Sequence, residues 1–374
     1  MKKKNIGDVR INPKKKKKKK IIIISIIVLV LVILISAFYV IFILDIDDTL
    51  PGTEEIYEPE PGIVERRKLT IVDEDSNERP IAIMIDNNVG NNLHTGLQDA
   101  YVTYEIIVEG GLTRIMAIYK DKDVSKIGPV RSSRHYFLDY ALEYDAIYAH
   151  YGWSTYASND ISALGVDNIN GLYDDAYWRD STIAAPHNVF TSIDTLYEKA
   201  EDLGYSKTSD DWKVLNYSYD AVNLDSYDDE YQRCEGEGCI QNSSLIKADN
   251  VVIPYSYNQT RSYVYDSTRQ VYLRYMNNQA HIDRVTGTQY YYKNIIIMQV
   301  SNHTLDSEGR QDLDTVGSGS GYYITNGYAL PITWTKNSRS SKTIYQYSNG
   351  DVVNINDGNT FIQIEPTTYS PQIS

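Results

Sequence analysis

Between Ile21 and Leu44 the chain runs for 24 residues without a charge, interrupted only by Ser25, Ser36 and Tyr39 among Ile, Val, Leu, Ala and Phe. As a helix this stretch is roughly 36 Å long, enough to cross a hydrocarbon layer of about 30 Å with some tilt. The segment therefore reads as a transmembrane helix rather than a buried core helix. Lys14–Lys20 stands directly before it, and Asp45, Asp47 and Asp48 follow. The positive-inside rule then leaves the short N-terminus in the cytoplasm and sends the large remainder outside. A cleaved signal peptide competes with this reading, but its apolar section spans only about 7 to 15 residues. Ser36-Ala37-Phe38 is also a poor cleavage site, and no Cys follows the span to accept a lipid. The expectation is a retained, single-pass anchor in the cell membrane with the main body extracytoplasmic.

The charge distribution agrees with that division. The formal charge of the 374-residue chain is −14, yet residues 1–20 hold 11 bases and one acid, leaving 25 bases against 49 acids for the rest. Taken alone, the basic head resembles a nucleic-acid tail. Joined to an apolar span it reads instead as a topology signal that touches anionic lipid, and the acidic body repels polyanions away from any local positive pocket. Nucleic acid is excluded as a partner.

The only cysteines, Cys234 and Cys239, flank Glu-Gly-Glu-Gly. In an extracytoplasmic loop they can close a small disulfide hairpin. Their spacing matches neither a zinc knuckle nor a thioredoxin-like pair, and no His-x-x-x-His pair organises a metal. No motif calls for a cofactor.

Residues 45–78 are rich in Asp, Glu, Pro and Gly and read as a linker, with a short strand expected at Lys68–Val72. The fold proper is expected from Arg79. Strand patterns occur at Ile81–Ile85, Val102–Val108 and Arg114–Tyr119, helices at Ser133–Leu142 and after Thr191, and a further strand at Ala146–Tyr151. Asp194, three residues after Thr191, resembles a capping box, with Leu196, Ala200 and Leu203 on one face before Gly204. From Val251 onward strand patterns dominate: Val251–Pro254, Arg261–Tyr265, Val271–Tyr275, Ile295–Val300, Tyr322–Thr325, Ile332–Lys336, Val352–Ile355 and Thr360–Ile364. The 34 tyrosines suit half-buried sheet faces with one polar edge. This pattern excludes a helical bundle and favours antiparallel-rich sheets.

Several polar clusters carry candidate chemistry. Glu105 and Glu109, four residues apart, fall on one face of an extended segment and can divide acid and base work, as in glycoside hydrolysis; equally, Glu109 can pair with Arg114 across Gly110-Gly111. Asp86 and Asn87 end the first strand. In Gly128-Pro129-Val130-Arg131-Ser132-Ser133-Arg134-His135, either serine can cap the following helix while Arg131 and Arg134 face an anion or an internal acid. His150 with Ser132 or Ser133, oriented by Asp139 or Asp145, is a weaker nucleophilic arrangement, since no Gly-x-Ser-x-Gly elbow is present. His187 is a further candidate, though buried, hydrogen-bonded histidines are the plainer reading of both. Gly317, Gly319 and Gly321, alternating with serines, read as a tight loop with exposed amides and lack the Lys-Ser/Thr ending of a P-loop.

Arg79-Pro80-Ile81-Ala82-Ile83-Met84-Ile85-Asp86-Asn87, Glu109-Gly110-Gly111-Leu112-Thr113-Arg114 and Gly128-Pro129-Val130-Arg131-Ser132-Ser133-Arg134 together resemble the YerB-like family of bacterial envelope proteins. Asp312-Leu313-Asp314-Thr315-Val316-Gly317-Ser318-Gly319-Ser320-Gly321-Tyr322-Tyr323 and Pro331-Ile332-Thr333-Trp334 extend the resemblance over roughly residues 79–366. It implies an extracytoplasmic α+β body, a layered sheet/sheet/helix sandwich, with an N-terminal part (79–225), an insertion or boundary (226–250), a C-terminal part (251–366) and a tail (367–374). Many members resemble lipoproteins; here the apolar span replaces their lipid-bearing Cys. The family transfers no catalytic residues. The functional expectation is a membrane-anchored module that binds an envelope polymer or anionic small molecule through Asp86, Asn87, Arg114, Arg131, Ser132, Ser133, Arg134, His187 and the 317–321 glycines. The alternatives are an envelope hydrolase using Glu105, Glu109 or His150, and a scaffold for a membrane protein.

Overall fold

In a computed structural model, residues 67–225 and 244–374 are described, with Val30 and Leu31 alone before them. The basic head, the rest of the apolar span, most of the linker, and Cys234 and Cys239 lie outside the described residues. Among the described residues no helix is long and apolar enough to cross a membrane. The chain divides into Met1–Glu65 and Arg66–Ser374, and the second unit closes its core within itself.

The alternation along one strand, Val102–Ile107, sets the layers of that unit. Glu105 points to one side, against Arg261 and Arg274. Tyr104 points to the other, stacked on Tyr140 with centroids 4.8 Å apart. A two-residue period thus places a second sheet on one face and a helix on the other. All six residues of this strand are buried, which is why it carries no polar outer face.

In chain order the principal strands are β1 (Ile81–Asp86), β2 (Val102–Ile107), β3 (Thr113–Tyr119), β4 (Ile147–His150), β5 (Asn168–Asn170), β6 (Asn250–Ser256), β7 (Gln259–Asp266), β8 (Val271–Met276), β9 (Asn294–Val300), β10 (Gly317–Thr325), β11 (Tyr328–Lys336), β12 (Ile344–Tyr347), β13 (Thr360–Pro366) and β14 (Gln372–Ile373). An 11-stranded sheet runs β12-β11-β10-β9-β13-β2-β3-β1-β4-β5, with Ile246–Lys247 beside β11. A six-stranded sheet is built on β8-β7-β6-β14. Three α-helices occur among the described residues, α1 (Phe137–Glu143), α2 (Thr155–Leu164) and α3 (Ile193–Asp202). The body is α+β.

Two features of the large sheet bear on function. Strand β13 lies between β2 and β9, parallel to both, so one late strand stitches sequence from either side of the 226–250 segment into a single sheet. On the other side of the sheet, β1, β4 and β5 run parallel. Their carboxyl ends bring Asp86, His150 and Asn170 to one edge. Crevices at such edges are where loops gather in parallel sheets.

Several expected elements differ. Lys68–Val72 forms no strand; the backbone amides of Thr70 and Ile71 bond the Asp357 carboxylate instead. The first helix begins at Phe137, because Ser133 pairs with Trp153 and its amide donates to the Gly152 carbonyl at 2.9 Å. Backbone committed to that pairing cannot enter a helix. Ser192, not Thr191, caps α3, its hydroxyl accepting the Thr195 amide; Leu196 and Ala200 are buried while Leu203 is exposed. Val352–Ile355 contributes only the short strand Asn354–Asn356. Residues 317–321 are not a loop but the start of β10.

Candidate functional site

Glu105 is fully buried between the sheets. Its Oε1 accepts from Arg261 Nε at 2.5 Å, Asn87 Nδ2 at 2.7 Å and Thr113 Oγ1 at 2.7 Å; its Oε2 accepts from Arg274 Nη2 at 2.6 Å. Burial alone would push the carboxyl up, but the two guanidinium groups pull it down to about 2. Glu105 is thus a permanent counter-ion, saturated with donors and closed to solvent, and it cannot deliver a proton near neutral pH.

Glu109 does not share its surroundings. Strand β2 ends at Ile107, and Glu109 opens a tight turn in which Gly110 and Gly111 adopt φ of 67° and 70°, values that suit glycine. A Cβ on Gly111 would sit 2.8 Å from Ser256 Cβ. The turn aims Glu109 at Arg134, which grips both carboxylate oxygens, and not at Arg114, the partner expected from spacing. Burial raises its pKa, and the Arg134 bond together with the Arg134 and Arg114 charges more than offsets this, leaving it lowered. Two carboxyls both held ionised do not form the acid and base couple of a hydrolase.

The nucleophilic arrangement is absent as well. His150 Nδ1 faces the Gly152 carbonyl at 2.8 Å and Nε2 faces Asn168 Oδ1 at 3.3 Å, so neither nitrogen is left for a serine. Burial pushes its pKa down to about 4. Ser132 Oγ donates to the Tyr151 carbonyl, and Ser133 Oγ accepts from Tyr148 OH; neither caps α1, whose N-cap Tyr136 makes no side-chain capping bond. Asp139 bonds Arg339 and Thr315, and Asp145 bonds Arg79.

The glycines of β10 are also structural. A Cβ on Gly319 would lie 2.6 Å from the Trp334 indole, and one on Gly321 would lie 2.0 Å from the Ile297 carbonyl. They make room for a ring and a neighbouring strand, and the segment does not join the arginine cluster.

That cluster forms at the carboxyl end of β1. Residues 127–131 run along it, with the Asp86 amide bonded to the Pro129 carbonyl and the Arg131 amide to the Met84 carbonyl. Asp86, 1% exposed, accepts Arg131 Nε at 3.0 Å and His187 Nδ1 at 2.6 Å on Oδ2. Arg114, opposite Asp86 in the β1–β3 register, donates from Nη1 to the Ser132 carbonyl at 2.5 Å. Among the described residues this is the side chain's one hydrogen bond, and no carboxylate lies within ion-pair distance. Burial and then the Arg134 charge lower its pKa to about 10, so at pH 7 it remains a cation. A partly buried guanidinium with no carboxylate in contact, reached by Glu109 and Asp86 only through space and with a second guanidinium beside it, is electrostatically incomplete.

The structure thus brings together Asp86, Arg114, Arg131, Ser132, Arg134, Glu109 and His187. It removes Asn87, which donates to Glu105 and Thr113 inside the body.

Sequence reasoning missed the buried relay behind Asp86. Arg274 Nη1 must donate, so His281 Nδ1 accepts, at 2.5 Å. His281 Nε2–H then donates to His94 Nδ1 at 2.8 Å, and His94 Nε2–H to the Asp86 carbonyl at 2.6 Å. Both rings are held neutral by burial, His94 near 4 and His281 also well below its usual value. The signal available in sequence was an arginine on the buried face of each alternating strand: Arg261 with Tyr263, and Arg274 with Tyr272 and Met276. Such a pattern demands an internal acid.

Comparison with known proteins agrees with the fold and identifies its family. Residues 69–206 match a family model described as the N-terminal domain of a protein of unknown function (DUF3048), and residues 251–362 match its C-terminal domain. A curated Bacillus subtilis protein, described as putative lipoprotein YerB, is 28% identical over 346 residues, covering 90% of this chain and 95% of its own. The crystal structure of YerB from Bacillus subtilis superposes with a TM-score of 0.66 at 28% identity, covering 79% of this chain and 94% of that one.

Proposed function

We propose that this chain, which belongs to the YerB-like family, is a membrane-anchored extracytoplasmic binder of an anionic envelope component, recognised at the carboxyl end of β1. The description of the Bacillus relative as a putative lipoprotein and the uncharged run Ile21–Leu44 behind a lysine block support the placement. A lipoprotein of that kind would be held at the membrane by a lipid, and here the apolar span would take that part.

The observation that carries the binding reading is Arg114. Its guanidinium is partly enclosed with a single neutral acceptor, next to Arg134 and across β1 from Arg131. A carboxylate or phosphate seated there would gain charge-assisted bonds to a group already desolvated and oriented. Asp86 holds Arg131 and His187 directly and acts on Arg114 only through space.

The test titrates poly-γ-glutamate against the body from Arg66 onward, which excludes the basic head and its own attraction for polyanions. Binding should saturate and weaken with salt. Arg114→Met should weaken it at least about tenfold, the scale of one charge-assisted contact, with thermal stability equal to or above that of the parent. Equal affinity of the parent, Arg114→Met and Arg131→Ala would sink the assignment.

A further inference from the structure

We infer that the ligand of this site is an acidic polysaccharide, whose sugar rings lie on an aromatic platform beside the arginines; the inference rests on the anion-binding reading above and adds the chemical class.

The platform consists of the loops that follow β4 and β5. Asn170 Oδ1 accepts the Gly152 amide at 2.9 Å and the Leu172 amide at 3.1 Å, which ties the two loops together. Tyr173 and Asp174 both donate their amides to the Asn170 carbonyl. On this pinned turn Leu172 is 54% and Tyr173 75% exposed. Single exposed apolar side chains are ordinary. Here they cluster on a backbone fixed by its own hydrogen bonds, so their exposure costs little ordering when a ligand arrives.

Contacts run unbroken from this platform to the cations. The Tyr173 ring lies 5.8 Å from Trp153. A Cβ on Gly152 would lie 3.2 Å from Ser132 Oγ and 3.6 Å from Leu172 Cδ1, so Leu172 reaches over the segment whose carbonyl holds Arg114. The Tyr151 amide bonds the Arg131 carbonyl, and the guanidinium of Arg179 sits over the Tyr151 ring at 5.2 Å. Arg179 also donates to Asn188, the neighbour of His187. Arg114, Arg131, Arg134 and Arg179 stand against the carboxylates of Asp86, Glu109 and Asp174, while Asp175 and Asp180 are paired with Lys199 and Lys126, which leaves this edge positive on a body that is otherwise acidic. Room for Tyr151 is built into the backbone: a Cβ on Gly171 would stand 2.3 Å from its ring.

The two halves of this surface ask different things of a ligand. Guanidinium groups seek carboxylate or phosphate. Exposed aromatic faces seek a flat apolar surface that stays hydrated around its rim. A pyranose bearing an acid group offers both in one residue, and a polymer of them repeats the offer. An acidic polypeptide satisfies only the cations, which leaves the rigid exposed rings without use.

Three polymers separate the classes, added to the body from Arg66: polygalacturonate, an acid on every sugar ring; poly-γ-glutamate, the same charge without rings; and dextran, rings without charge. Polygalacturonate should bind at least about tenfold tighter than poly-γ-glutamate, with dextran undetected. Tyr173→Ala, at a largely exposed position, should remove that advantage and leave the poly-γ-glutamate affinity in place. Leu172→Ala, on the same turn and also exposed, provides a second variant on this surface. Equal binding of the two acidic polymers, or an advantage that survives both variants, overturns the polysaccharide inference while the anion site stands. Failure of every acidic polymer to bind a folded body overturns both.

Discussion

Glu105→Gln separates a counter-ion from a catalyst. Holding this carboxyl at about 2 against its ordinary 4.5 corresponds to about 3 kcal/mol of stability. The sign follows from the direction: a lowered carboxyl contributes fully above pH 4.5, and the contribution is lost as pH falls toward 2. The substitution keeps the shape but strands Arg261 and Arg274 as buried cations, which independently costs about 3–5 kcal/mol. The two routes agree in scale. The assay is urea unfolding of the body from Arg66 at a series of pH values from 7 to 2.5, parent against variant. The variant should be less stable by about 3 kcal/mol at pH 7, and the gap should close through the acid range, because only the parent loses the Glu105 term there. The difference curve cancels every other group common to both chains. A loss under about 1 kcal/mol at pH 7, or a gap of constant size down to pH 2.5, would refute the account of Glu105 as a buried counter-ion.

Two further perturbations test other parts of the fold. Glu365 on β13 is fully buried, with Oε1 unpartnered among the described residues and Oε2 touched only by Gln299 at 3.4 Å; burial pushes it up to about 8. A raised carboxyl holds its proton in the folded state while the unfolded chain releases it, so stability should decline from pH 4.5 to 8, and Glu365→Gln should remove the decline and stabilise the body at pH 8 by at least about 1 kcal/mol, read by urea midpoints. Gly319→Ala places a methyl in the Trp334 ring and threatens its Nε1 bond to the Gln299 carbonyl; it should cost about 1–3 kcal/mol by the same measurement while leaving poly-γ-glutamate affinity unchanged, the opposite of what an amide-lined ligand loop requires.

Strand-level structure was largely legible because hydrophobic alternation is local. Ile81–Ile85, Ile295–Val300 and Thr360–Ile364 each lie within a strand of the fold. The glycine run at 317–321 misled because glycine content marks both loops and close packing, and only the cross-strand partner Trp334, fifteen residues beyond Gly319, distinguishes them. Part of the arginine cluster was legible because Arg131, Ser132 and Arg134 stand close together in sequence, whereas Arg114 reaches Asp86 only through the antiparallel β1–β3 pairing, with β2 between them in the chain. What sequence spacing could not supply was the partner of each charge. Glu109 lies five residues from Arg114 but pairs with Arg134, since two left-handed glycines turn it away. Glu105 meets Arg261 and Arg274 across separations of 156 and 169 residues, and no periodicity encodes that distance.

Those long separations also explain why the two matched family segments act as one body. Strand β2 from the first segment would be an open edge beside β13's place if the second were missing, with a carboxylate on its buried face and no cation to meet it. The second segment supplies the cations, from β7 and β8, and the covering strand, β13. It also supplies His281, which passes the Arg274 donor through His94 to the carbonyl of Asp86. Asp86 is the residue whose carboxylate holds Arg131 and His187. The candidate anion site at the carboxyl end of β1 is therefore built from the first segment and backed by the second, through neutral histidines whose hydrogen-bond direction is fixed at its source by an arginine that can only donate, ending on the Asp86 backbone carbonyl.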